Sequence, residues 1–450
     1  MKKFLKSHGT AFLKPMEQLL HYCWKHKIFP LRTLTTTAGK PVEVINPGRH
    51  NQDAGPDFLE AKVKIDGVLW VGAVEIHVRT SDWHRHGHDG NPAYEHVILH
   101  VAGKVDAELT YPNGEPMPQL ELEVPAYVTN NYSELLRADT VPRCRNIIGG
   151  IPRLMVHSWL SALQVERLEM RARQVTERFG QLDKNLEDTL FVTLARSFGF
   201  GKNGDAFEQW AYHIPMSAVG KHRDNLLQVE AIFFGQAGLL DAPGNPNDLY
   251  YQQLRREYLF LRQKFSLQPM DAHAWMFLRL RPQNFPHIRI AQLAMMYYRQ
   301  GLNLSKLLQA VTVDDVRALL STHVSDYWKT HYTFDSVRSA PMDKRLSDSS
   351  AELLIINAVV PMLFCYGRYM NDEAITERGV QLLEHLKPEK NSIIKYWQAA
   401  GITPENAADT QALLQLHTAY CMKRDCLRCR FGYEYIRHTP NFLHDDNDGR

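Results

Sequence analysis

The stretch GPDFLEAKVKIDGVLWVGAVEIH, residues 55–77, decides the fold of this chain. From Phe58 to Ile65, Leu59, Ala61, Val63 and Ile65 alternate with Glu60, Lys62 and Lys64, the period of a strand with one buried face. Asp66-Gly67 is a hairpin turn signal. Val68–Val78 is apolar at nearly every position, which predicts a central strand covered on both faces. Before this hairpin, Met16–Lys27 places Met16, Leu19, Leu20, Cys23 and Trp24 on one helical face, and Val42–Ile45 is a short strand. After it come a short helix or turn at Pro92–His96, a strand at Val97–Ala102, and a last strand at Gln119–Val124. From Pro152 the period becomes helical and stays so, with no 34- or 40-residue repeat. The expected fold class is α+β: a mixed α/β sheet domain over 1–130, a linker over 131–151, an all-helical region over 152–443, and a disordered tail over 444–450.

Acidic residues sit at particular points on this order. Asp57 follows Gly55-Pro56 at the head of the first long strand, and Glu75 and His77 share a face of the next. Gly-Pro-Asp, seventeen intervening residues and then Glu-x-His resembles the PD-(D/E)XK nuclease-like superfamily. The resemblance implies a restriction-endonuclease-like domain in which Asp57 and Glu75 hold Mg²⁺ or Mn²⁺. It also implies that the residue at His77 activates water and that Glu17, on the first helix, is an extra acidic residue. The superfamily has Lys where this chain has His77. A neutral imidazole orients or deprotonates water, or ligates Mn²⁺ or Zn²⁺ directly, but supplies no fixed positive charge at high pH. Gly55-Pro-Asp-Phe, Val74-Glu-Ile-His and Ser81-Asp-Trp also resemble an uncharacterised bacterial family of similar length, over most of the chain. That likeness implies no activity.

Register tests the shared metal. A two-residue turn at Asp66-Gly67 pairs Ile65 with Val68 and puts Asp57 on the face away from Glu75 and His77. A three-residue loop or a one-residue bulge is expected to set Asp57 opposite His77 and Leu59 opposite Glu75, bringing the three to one face, and bulges often sit beside active sites.

Histidine is the one unusual count: six of 21 fall between His77 and His100. Asp82, His84, His86, His88 and Asp89 form a loop composed like a metal- or phosphate-facing one, and His96 and His100 are read on one face of the following strand. Near the end, Cys421, Cys426 and Cys429 with His417 are four ligands for a tetrahedral Zn²⁺ site. Some nucleases of the superfamily carry an iron–sulfur cluster on three C-terminal cysteines and one upstream, for which Cys144 or Cys23 is available. Unligated thiols in a reduced protein are the third reading.

The net charge of +2 excludes a polybasic nucleic-acid coat, yet residues 251–300 hold eight basic residues against Glu257 and Asp271. Arg255, Arg256, Arg279, Arg281 and Arg289 are candidate nucleic-acid contacts, with Tyr258, Phe265, Trp275, Phe285 and Tyr297 interleaved. Lys423, Arg424, Arg428, Arg430 and Arg437 form a second basic cluster. The longest apolar run, Leu353–Tyr366, is interrupted by Asn357 and Pro361 and is short of the roughly 20 residues of a spanning helix, so no membrane partner is expected. Six cysteines are too few for a disulfide framework, which points to the cytoplasm. No Walker loop and no Gly-x-Ser-x-Gly elbow is present. Three functions follow: a metal-dependent phosphodiesterase of nuclease type, a degenerate nucleic-acid-binding or protein-interaction scaffold, and a Zn²⁺ or Mn²⁺ hydrolase of a small substrate using the histidine loop. Oligomeric state is not legible.

Overall fold

The computed structural model describes residues 7–30, 33–51, 53–241, 247–299, 302–334 and 336–437, with side chains from Met16 onward. The expected tail, 444–450, lies outside the described residues. The fold is α+β, a mixed sheet followed by a large helical region, and the described chain divides into two compact units. The first comprises residues 7–153, 399–402 and 416–437, and the second residues 154–398 and 403–415.

The first unit opens with α1 (Ser7–Lys25), whose Leu19, Leu20, Cys23 and Trp24 are buried as the three-four spacing predicts. The strands are β1 (Leu34–Thr35), β2 (Pro41–Asn46), β3 (Arg49–His50), β4 (Phe58–Ile65), β5 (Val68–Arg79), β6 (Val97–Lys104) and β7 (Gln119–Glu121). Their order is β1-β2-β4-β5-β6-β7, with β3 beside β4. β2, β4 and β5 are antiparallel, whereas β5–β6 and β6–β7 are parallel. The crossover from β5 to β6 carries one short helix, α2 (Asp82–Arg85), and a 3₁₀ turn at Pro92–Tyr94.

Asp66 and Gly67 both have positive φ, 53° and 80°, and make a two-residue turn that pairs Ile65 with Val68. The register then changes. Ala61 faces Gly72 but Phe58 faces Val74, so Leu59 and Glu60 oppose Ala73 alone: a β-bulge. Glu60 takes the left-handed conformation, φ 60°. The bulge also inverts the expected alternation at the head of β4, burying Phe58 and leaving Leu59 partly exposed. Gly48 packs on it at φ 91°, and a Cβ there would sit 2.6 Å from the Leu59 carbonyl oxygen.

β5 departs from expectation. Val68, Leu69, Trp70 and Val71 are exposed, and burial starts only beyond Gly72. The apolar run is continuous, but its first third is a hairpin arm rather than a covered central strand.

The segment expected as a linker is largely structured. α3 (Ala126–Arg137) buries Tyr132 and Leu135, and α4 (Arg145–Ile148) buries Ile148 beside Cys144. The chain returns to this unit at its end, whereas the helical period alone carries the second region through 443: the helix Arg430–Arg437 packs on α3, with Asn131 Nδ2 donating to the Ile436 carbonyl at 3.0 Å.

The second unit is all helical around a core that includes Phe191, Trp210, Phe233, Phe234, Tyr258 and Trp328. One helical run here, Asp348–Met370, is 23 residues long and apolar enough to cross a membrane, contrary to the length expected from Leu353–Tyr366. Helical turns continue through Asn357 and Pro361, which the sequence pattern marks as interruptions. Two thirds of its most apolar window is buried inside the protein, as in a core helix.

Candidate metal centre

The bulge makes the site. It carries Asp57 across from Glu75 rather than His77, onto the face that a plain two-residue hairpin denies it. Two hydrogen bonds lock the pair: the Asp57 N–H donates to Glu75 Oε2 at 3.0 Å, and the Ile76 N–H donates to Asp57 Oδ2 at 2.9 Å. In β6, His100 is the partner of Glu75. Asp57, Glu75 and His100 therefore form a row across three strands, with His77 two residues along on the same face.

The loop after β5 folds back over this row. Trp83 is buried against Ala73, Val97, Leu109 and Met117, which anchors α2. Asp82 is buried too, and its carboxylate accepts the Arg79 N–H at 3.2 Å and pairs with Arg85 at 2.7 Å. Gly87, at φ 75°, then turns the chain so that His86 and His88 both reach the row.

Three imidazoles converge there. One ring nitrogen from each of His77, His86 and His88 lies within 4.8 Å of the other two. His77 Nε2 is 3.1 Å from His86 Nδ1 and 3.5 Å from Glu75 Oε1. His88 Nε2 is 3.3 Å from the same carboxylate oxygen and is buried without an aligned hydrogen bond. His77 Nδ1 lies 2.9 Å from His100 Nε2, which fixes the ring and leaves Nε2 facing its neighbours. Burial pushes His77 down to about 2, with His100, His86 and His88 adding to it, and pushes His100 down to about 4. Burial thus holds the His77 and His100 rings neutral. Burial pushes the Glu75 carboxyl up to about 7. Clustered imidazoles beside one carboxylate suit a borderline ion such as Zn²⁺ or Mn²⁺; an all-oxygen site would suit Mg²⁺ better.

The other expected residues fall around this group. Asp57 is engaged by Ile76 N–H and by His21, whose Nε2 is 3.3 Å from Asp57 Oδ2. His21 is raised: the hydrogen bond and charge of Asp57 outweigh its burial, the largest single effect. Glu17 is half-buried on α1, raised by burial, and feels the charges of His21, Asp57, His86 and Asp82. His84 is not brought in; it is exposed and paired with Asp89 at 2.6 Å. His96 is exposed and precedes β6, so it shares no strand face with His100. Sequence reasoning missed His21, although its i+4 spacing from Glu17 puts both on one face of α1.

At the other expected metal site, the buried Cys144 thiol is raised well above its ordinary value by burial and by Cys429, Cys421 and Cys426. Arg143 Nη1 donates to the Cys421 carbonyl at 2.8 Å, tying the segment before α4 to the C-terminal loop. His417 lies on a π-turn, Leu416–Cys421, with a buried, unpaired Nδ1. Cys23 is fully buried in α1.

Of the arginines in the second unit, Arg256, Arg279 and Arg281 are exposed and Arg255 is half-buried. Arg289 is buried instead, donating to Gln292 Oε1 and Asn284 Oδ1 over the Phe200 ring. Tyr258, Trp275 and Tyr297 are core residues, so these three give that face no stacking platform.

A family model described as "Protein of unknown function (DUF2851)" matches residues 17–392. No curated protein and no solved structure matches the chain. The chain belongs to this family of unknown function, and the matched span contains every residue of the histidine centre.

Proposed function

We propose that the chain is a metal-dependent phosphodiesterase of nuclease type, with its ion at Glu75, His77, His86 and His88. The observation that carries this reading is the convergence of three imidazole nitrogens on the Glu75 side of the sheet. An ion bound there polarises a phosphoryl oxygen and lowers the pKa of water. The protein's own part is positional. His100 orients His77, Trp83 holds the loop bearing His86 and His88, and the Asp57 N–H orients Glu75. Asp57, His21 and Glu17 line the next position along α1, where they hold or pass a proton. With His77 serving as a ligand, the Lys of the nuclease-like superfamily has no counterpart in this set, and the basic side chain against Asp57 is His21, 3.3 Å away.

A second metal site belongs to the same reading. Cys421, Cys426 and Cys429 with the upstream Cys144 match the three C-terminal cysteines and one upstream that hold an iron–sulfur cluster in some nucleases of the superfamily, and such a cluster would fasten the chain end within the first unit. Cysteines that form no disulfide and such a centre both fit a reducing compartment, the cytoplasm.

Elemental analysis and cleavage assays test both sites. The full chain should hold Zn or Mn that Glu75→Ala loses, and Fe that Cys426→Ser loses. Single-stranded DNA or RNA should be cut by the parent and not by Glu75→Ala. Bound ion without cleavage of any phosphodiester would make the centre a binding scaffold, and cleavage persisting in Glu75→Ala would remove it from the chemistry.

A further inference from the structure

A cavity of about 430 Å³ opens beside the centre within the first unit. Its walls are α1 (Gln18, His21, Tyr22, Lys25), His50 of β3, Tyr132 of α3 and the loop between Cys421 and Cys429. That loop contributes Lys423, Arg424 and Arg428 with Asp425. Arg428 Nε is 3.0 Å from Asp425 Oδ2, so the one carboxylate on the wall is neutralised from inside the loop. Lys25, Lys423 and Arg424 are exposed and have no carboxylate partner among the described residues.

Three features mark the cavity as a built site rather than a solvated surface. Arg424 is held in the left-handed region, φ 58°, where the Leu416–Cys421 turn ends, by its N–H donating to the Cys421 carbonyl and the Asp425 N–H donating to the Tyr420 carbonyl, so its place on the wall is fixed. Tyr22, a lining residue, is 3% exposed, and its buried hydroxyl has no hydrogen-bond partner among the described residues. His21 belongs to both places: it lines the cavity and meets Asp57, whose N–H in turn holds Glu75.

We infer that this cavity receives one nucleotide of a single-stranded nucleic acid next to the bond to be cut. Lys25, Lys423 and Arg424 take the phosphate, and the half-buried His50 ring on the wall faces the sugar and base. Unpaired cations supply phosphate affinity and a planar ring accepts any base, the chemistry of single-strand sites. A base held in a duplex cannot enter a cavity of this size. The inference deepens the nuclease reading and rests on it, yet binding is measurable apart from cleavage.

The test uses fluorescence anisotropy of a labelled single-stranded 10-mer, DNA and RNA in turn, on the full-length chain. A Glu75→Gln background keeps the strand intact. Lys423→Gln with Arg424→Gln should weaken binding at least tenfold, and should reduce the slope of log affinity against log salt by about 1.4, roughly 0.7 for each phosphate charge the variant no longer neutralises. Lys395→Gln, which removes an exposed charge in the second unit, should change neither value. Unlabelled duplex of the same sequence should compete poorly. Unchanged affinity and slope in the double variant, or a duplex competing as well as the strand, would overturn the cavity assignment. A parent that binds the strand but never cleaves it overturns the nuclease reading while leaving the cavity standing. Cleavage with unaltered binding in the double variant does the reverse.

Discussion

His77 stands two residues from Glu75 on a buried face, and its neighbours decide what it does. In isolation it reads as an imperfect substitute for a lysine. Beside His86 and His88 it is one of three converging nitrogen donors, and His100 holds its ring in place. Removing a donor should empty the centre: His86→Ala should leave the purified chain without its Zn or Mn, read by elemental analysis, while the far-ultraviolet circular dichroism stays unchanged. His100 meets His77 from behind and packs edge-on against the Trp83 ring, so His100→Phe, which keeps a ring there, should keep the ion but weaken it about 10- to 100-fold, as loss of an orienting partner does. Competition with a chelator measures that difference. Asp57, Glu75 and His77 were legible in the sequence because spacing along a strand assigns a face. His86 and His88 were legible only as composition, since nothing in the residue order says that Gly87 turns both rings inward. His21 and His100 lie on other elements, and only the assembled sheet brings them near.

At the scale of the element, the bulge in β4 controls the site. The turn at Asp66-Gly67, read alone, points Asp57 away from Glu75, and the structure keeps that turn. One additional residue opposite Ala73 restores the shared face. The requirement for a bulge followed from strand parity, but its place did not, because Glu60 occupies the left-handed position where glycine would have announced it. Deleting Glu60 should therefore rotate Asp57 to the opposite face. The chain should fold less stably, lose the Asp57–Glu75 hydrogen bond, and lose activity even with every metal ligand present. A deletion variant that keeps parental cleavage would show that Asp57 need not face Glu75. Gly48 supports the same bulge from β2's side of the sheet. Gly48→Ala places a Cβ 2.6 Å from the Leu59 carbonyl oxygen at a φ of 91°, and should cost about 1–3 kcal/mol in a denaturant titration. The exposed arm Val68–Val71 misled for a related reason: a continuous apolar run fixes no limit to how far along a strand its cover extends.

For the whole molecule, the division into two units makes acid an asymmetric stress. His77 and His100, at about 2 and about 4, lie in the first unit; His287, at about 3 through burial, lies in the second. A depressed histidine contributes stability above its unfolded value of about 6.5 and loses it as pH falls toward the folded value. Buried carboxyls act the other way. Glu75 in the first unit and Glu230 in the second are each held by burial at about 7, so each favours the folded state as pH falls from there toward its unfolded value. In the second unit His287 and His323, both lowered, stand against Glu230 and Asp188, both raised. In the first, His26, His50, His77, His100 and His417 are lowered, chiefly by burial, against Glu75, Glu17 and His21, which are raised, so its unfolding takes up protons on balance and it loses stability as pH falls below about 6.5. Stripped of metal, the first unit should therefore open first. Hydrogen–deuterium exchange between pH 6.5 and 4.5 should show residues 68–104 losing protection before residues 286–298. A bound ion should delay that loss, because it requires the same unprotonated imidazoles that folding does. Simultaneous loss in both segments, or protection at 68–104 that survives to pH 4.5 without metal, would mean that the buried rings are not held neutral by the fold.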